Sequence, residues 1–125
     1  MNLEHIALTI TDRKEIEIFY QKILGFSEVR SFILQEDIAR EIFGIEQETR
    51  VYHLQNDSLL MELFLMPERF EHFYNHICIS IPNREEIVYK ADQYAYECIR
   101  IRRQNSDMIF IKDRSGNIFE IKQRN

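Results

Sequence analysis

Apolar and polar positions follow two periods that take turns along the chain. Between residues 3 and 10 apolar side chains fall on every second position (Ile6, Leu8, Ile10), as on a strand with one buried face. Ile16, Phe19, Tyr20 and Ile23 then recur at helical spacing. Asp12, with Glu15 three residues on, predicts a capping box at the start of that helix, and Gly25 a left-handed residue just past its end. Three strands are predicted next, over residues 26–34, 49–55 and 58–66, with Asn56-Asp57 as the tight turn between the last two. At Tyr74 the series starts again. A strand over 74–81 leads to a cap at Asn83-x-x-Glu86 and a helical stripe of Ile87, Ala91 and Tyr94. Strands over 96–104, 108–112 and 117–123 follow, the last two joined by the turn 113–116.

The restart is a repeat in the residues themselves. Residues 5–16 read HIALTITDRKEI and residues 76–87 read HICISIPNREEI, with six of twelve positions identical. A second echo pairs LLMEL at 59–63 with NIFEI at 117–121. Each half therefore opens on a histidine strand and closes on a glutamate strand. The fold class this predicts is α+β: two tandem βαβββ modules, 1–66 and 74–125, with 67–73 as linker, together forming one domain. The histidine-to-glutamate spacing is 57 in the first half (62 − 5) and 44 in the second (120 − 76). Residues 36–45, read as an inserted short helix, account for the difference.

Strand alternation then places the chemistry. With Ile6, Leu8 and Ile10 packed on the helix, His5, Ala7 and Thr9 face the other way. The same parity leaves His76, Cys78 and Ser80 on the corresponding face of the second module. Glu62 and Glu120 alternate with the apolar pairs Met61/Leu63 and Phe119/Ile121, so they join the histidines. A carboxylate within Leu-Leu-Met-Glu-Leu-Phe-Leu is costly to bury without a partner. Metal coordination is one solution and a charge pair another. Two histidines and two glutamates at equivalent places in a repeat favour a metal site of His5, Glu62, His76 and Glu120. Such a nitrogen and oxygen set suits Zn, Ni, Co or Mn without choosing among them. His53 and His72 occupy no repeated position and read as structural or solvated. With Ile99 and Ile101 packed on the helix, Arg100 and Arg102 are expected to face the cleft and grip an acidic group of a substrate.

Composition narrows the class. At 125 residues and a net charge of −5, the chain has the size of one domain and no concentrated basic face for nucleic acid. Two cysteines, Cys78 and Cys98, are too few for a disulfide framework. No apolar run approaches membrane-spanning length, and the N-terminus lacks the features of a signal peptide. The expectation is a cytoplasmic protein with reduced thiols and a small-molecule substrate, with neither nucleic acid nor membrane as partner.

The opening His5-Ile-Ala-Leu-Thr-Ile with Phe19-Tyr20 and Leu24-Gly25-Phe26 resembles the vicinal oxygen chelate superfamily. That group includes glyoxalase I, bleomycin-resistance proteins, extradiol dioxygenases and methylmalonyl-CoA epimerase. The ending Asp113-Arg-Ser-Gly-Asn-Ile-Phe-Glu120 is similar to the family's Asp-Pro-x-Gly-Asn-x-x-Glu, with Arg114 where proline is usual. By position, His5, Glu62, His76 and Glu120 match the four ligands of the glyoxalase I type. Dioxygenases and thiol-transferring fosfomycin-resistance enzymes use two histidines and one glutamate, and epimerases commonly have glutamine at the Glu62 position. Bacterial glyoxalase I carries a glutathione-holding arginine where this chain has Thr9, and an asparagine where it has Met66-Pro67-Glu68.

The resemblance implies a metal-dependent lyase or isomerase acting on a small carbonyl or hydroxy acid through a metal-stabilised enediolate. Glu62 or Glu120 would serve as base, and Thr9, Arg100 and Arg102 would contact substrate. The alternatives are a non-catalytic drug-binding module of the bleomycin-resistance kind, and a metal-dependent dioxygenase or epimerase. Glu62 and His76 lie only 14 positions apart (76 − 62), which gives the second module little slack to fold back on the first. A homodimer with shared sites is expected, as in bacterial glyoxalase I.

Overall fold

The structure is a computed structural model and describes residues 3–68 and 74–125; linker residues 69–73, His72 among them, lie outside the described residues. The first half comprises β1 (Ile6–Ile10), α1 (Ile16–Ile23), β2 (Ser27–Leu34), α2 (Glu36–Phe43), β3 (Thr49–Asn56) and β4 (Leu59–Leu65). The second comprises β5 (Ile77–Ile81), α3 (Arg84–Gln93), β6 (Cys98–Ile101), β7 (Met108–Lys112) and β8 (Ile118–Gln123). Each half makes one four-stranded sheet, ordered β1-β4-β3-β2 and β5-β8-β7-β6. In both, the first strand runs parallel to the last and the other pairs are antiparallel. The architecture is the α+β pairing of two βαβββ modules that the repeat predicts. Among the described residues no helix is long and apolar enough to cross a membrane.

Helix α1 is wound more widely than the α-helix predicted. It has π-type turns, and the amide of Leu24 reaches the carbonyl of Phe19 at 3.0 Å. Widening lowers the angle between successive side chains, so the adjacent rings Phe19 and Tyr20 both reach the core. Each is fully buried, at 5.6 and 6.0 Å from the ring of Phe119. Gly25, at φ 80°, closes the helix as expected. The capping box does not form. Asp12 instead accepts from the Lys14 amide, and Glu15 turns toward the second module.

That contact belongs to a buried polar seam between the halves. Tyr96 donates to Glu15 at 2.7 Å, the Arg114 amide to the same carboxylate at 3.1 Å, and Tyr20 to Asp113 at 2.8 Å. The Asn117 amide group reaches the carbonyl of Thr9 at 2.7 Å. Around this seam the helix sides of both sheets share one apolar core, with Ile10, Met61 and Leu63 from the first and Ile109, Phe119 and Ile121 from the second. One consequence governs the site. The halves bury their helix sides against each other, so the opposite, open face of each sheet is left uncovered by its sister module.

Candidate metal half-sites

Backbone pairing fixes which side chains line each open face. In the first sheet Arg30 pairs with His53, His53 with Glu62, and Glu62 with Ala7. His5, two residues before Ala7, shares that face. In the second sheet the equivalent row is Ile99, Phe110, Glu120 and Cys78, with His76 two residues before Cys78. The histidine–glutamate pairs are equally exposed in the two halves, at 45% for the histidine and 15% for the glutamate.

Their surroundings differ. Glu62 is clamped: one carboxylate oxygen lies 2.9 Å from His5 Nε2 and the other 2.5 Å from His53 Nε2. Arg30 Nε points at His53 Nδ1 at 3.4 Å, and a guanidinium can only donate, so His53 carries its proton on Nε2 and donates it to Glu62. In the second half His76 Nδ1 lies 2.9 Å from the carbonyl of Tyr74. That carbonyl can only accept, so the proton is on Nδ1 and the Nε2 lone pair is free. Nε2 sits 3.8 Å from Glu120, beyond a hydrogen bond. An imidazole held through Nδ1 by a carbonyl, with Nε2 open beside a carboxylate, is the arrangement of a metal-binding histidine. Partial desolvation and the neighbouring Glu120 push the exposed Cys78 thiol up.

Each half thus sets the predicted histidine beside the predicted carboxylate, donors that fit a divalent cation, while His53 in the first half is taken up by Glu62. Among the described residues, however, no three histidine, cysteine, aspartate or glutamate side chains converge to hold one. The four residues singled out in the sequence come together as two pairs and not as a quartet within one chain.

Two other sequence readings change. Arg100 faces the helix side and not the cleft, because Cys98 and Arg100 share the face of Ile111 and Ile109 while Ile99 lies opposite Phe110. There Arg100 pairs with Glu85 of α3 at 2.7 Å and with Asp107 at 3.1 Å. β6 is an edge strand half open to solvent on both faces, so hydrophobicity does not fix its parity. Arg102 lies past its end, 83% exposed, at 3.7 Å from Asp107. His53, read as structural or solvated, is 12% exposed and bound to Glu62, a structural role. Counting across the hairpin could have found it. With the turn at Asn56-Asp57, Glu62 falls opposite Val51. The structure turns at Asp57-Ser58, with Asp57 at φ 51° and Asn56 paired to Leu59, which brings His53 opposite Glu62.

Beside the first half-site lies a cavity of about 520 Å³, with Ala7, Thr9, Phe64 and His76 in its wall.

No family model and no curated protein matches the chain in sequence. Solved structures do match it in shape. The genomically encoded fosfomycin resistance protein FosX from Listeria monocytogenes aligns with a TM-score of 0.76 at 18% identity, covering 100% of this chain and 94% of that one. A variant of that protein, complexed with Mn(II) and 1S,2S-dihydroxypropylphosphonic acid, aligns at 0.75 and 20% identity over 97% and 90%. A glyoxalase family protein from Enterococcus faecalis aligns at 0.72 and 19% identity over 96% and 95%. The chain therefore shares its fold with these fosfomycin-resistance and glyoxalase-family structures.

Proposed function

We propose that this chain is a metal-dependent lyase or isomerase whose site is completed by a second copy of itself. In this reading His5 and Glu62 of one protomer and His76 and Glu120 of the other hold one divalent cation. The observation that carries it is the repeated pair, with the Nε2 lone pair of His76 freed by the Tyr74 carbonyl. Mn(II) in a structure of the same fold supports a divalent ion. The shared core, which leaves the open face of each sheet uncovered by its sister module, supports a second copy.

The bound cation would supply Lewis-acid polarisation of a substrate carbonyl or hydroxyl oxygen. The chain's residues divide the remaining work. Glu62, held through one oxygen by His53, is suited to staying in place. Glu120 has no hydrogen bond from His76 and stands between Phe110 and Cys78, so it is free to swing and take a proton from the carbon beside the carbonyl. The apolar Phe110 limits water at that carboxylate.

Mixing His5→Ala chains with His76→Ala chains tests the shared site. In a mixed dimer one site loses both histidines and the other keeps all four ligands, so metal binding should be partly restored. Absence of restoration despite demonstrated subunit exchange, or a monomer that binds metal fully, would refute it. For the chemistry, deuterium exchange at the carbon beside the carbonyl of 2-oxo acid thioesters, read by NMR, should fall about 10²- to 10⁴-fold in Glu120→Gln.

A further inference from the structure

We infer that the cavity beneath α2 is a subsite for a neutral, apolar body of the substrate, an aromatic or branched aliphatic group carried by the carbonyl or hydroxy compound. This rests on the reading of the paired half-sites given above. The inserted helix α2 has no counterpart in the second half. Of its residues only Ala39 is buried, while Ile38, Ile42 and Phe43 are 41%, 65% and 54% exposed. A helix that adds one alanine to the core contributes little to folding. Its inner side instead roofs part of the open face of the first sheet: Ala39 and Phe43 line the cavity, and the Phe43 ring stands edge-on to Phe64 at 5.8 Å.

The cleft measures about 520 Å³, within the usual range for a small organic ligand. Leu34, Ile45 and Phe64 form much of its wall, and no Lys, Arg, Asp or Glu lines it. Burying a phosphonate or carboxylate among such groups would leave the charge unpaired, which is costly. The cavity's polar wall residues are Thr9, Thr49, Asn75, His76 and Asn117, all uncharged side chains or an imidazole. Ala7, the backbone partner of Glu62, lies in the same wall and joins the cavity to the first half-site. A ligand therefore fits with its apolar body under α2 and its oxygen-bearing end toward the half-site. That preference differs from the phosphonate in the Mn(II) complex of the same fold.

N-phenyl-1-naphthylamine, an uncharged aromatic whose fluorescence rises in apolar surroundings, is a suitable probe. It would be titrated into the full chain, chelator-stripped and Mn(II)-loaded, with the oligomeric state followed by light scattering. Saturable binding near one probe per chain is expected. Phe43→Asp should weaken it at least about tenfold by placing a charge in the wall, and Phe43→Leu should keep it within about threefold. Phe43 is half exposed, so both variants should fold, and metal titration of each reports on the metal centre separately. Neutral phenylacetone should displace the probe and phenylphosphonate should not. Metal binding without probe binding would overturn the subsite alone, whereas probe binding without metal binding would overturn the metal reading and leave the subsite standing. Equal binding by Phe43→Asp, displacement by phenylphosphonate, or binding confined to dissociated monomer, which would mean that a second copy fills the cavity, would each overturn this inference.

Discussion

Replacing His53 with phenylalanine would give the first half-site the surroundings of the second, where Phe110 stands in the equivalent row. The substitution removes the 2.5 Å contact to Glu62 and leaves Arg30 without its imidazole partner. A hydrogen bond to a charged acceptor contributes about 1.5–3 kcal/mol, and Glu62 is too enclosed for water to replace it fully. With a tenfold change for each 1.4 kcal/mol, metal affinity should fall about 10- to 100-fold, the range seen when hydrogen-bond partners of metal ligands are removed. Cobalt titration read by visible absorption measures the affinity and also reports the ligand geometry. His53→Gln retains a donor at similar reach and should recover most of the loss. Urea unfolding of the metal-free proteins separates a folding defect from a metal defect. Wild-type cobalt affinity and an unchanged spectrum in His53→Phe would refute the idea that His53 positions Glu62.

Two further outcomes follow from other parts of the structure. Glu15 is 3% exposed, and burial pushes its carboxyl above the usual range, so the folded state holds its proton more tightly than the unfolded chain. Its contribution to stability is therefore greatest below the ordinary carboxylate range and is lost as pH rises through the folded pKa. Glu15→Gln should bring urea midpoints at pH 4 and pH 8 closer together, with Asp113, shifted the same way by burial, sustaining part of the slope; an unchanged slope would contradict this. Because Thr9 offers no cation to glutathione, turnover of the methylglyoxal–glutathione adduct should stay near background in the metal-loaded protein, and robust turnover would show that another group grips the tripeptide.

The repeat was sufficient to read the fold because each module is built from local signals. Alternation in β1 and β5 and the apolar neighbours of Glu62 and Glu120 set the side-chain faces, and a strand with one covered face has little freedom to slip. The readings that fail sit where that constraint lapses. β6 has no fully covered face, so Arg100 takes the side where Glu85 and Asp107 offer charge. Asn56 is a good turn residue, yet its side chain is drawn back to the carbonyl of Leu24 at 2.9 Å, and the turn moves one residue along. Glu15 looks like a cap residue by spacing, but its partners Tyr96 and Arg114 are some eighty to a hundred positions away, where no local pattern reaches. The two tight rows across the sheets were legible in part, whereas pairing between copies would depend on surfaces that sequence periodicity does not describe.

The divergence between the halves has a consequence for how the copies would pair. Each sheet carries the same histidine–glutamate pair, yet the first adds Arg30 and His53 and the second Ile99 and Phe110. If like halves met, one site would hold two clamped carboxylates and the other two loose ones. A cation between two clamped carboxylates has no ready base, and one between two loose carboxylates has no fixed anchor. Pairing unlike halves gives every site one of each, Glu62 held by His53 and Glu120 beside Phe110. A duplicated module gains from diverging only under that second arrangement. The inserted α2 fits the same logic, since it roofs only the first half and so would give each unlike pair a single apolar wall.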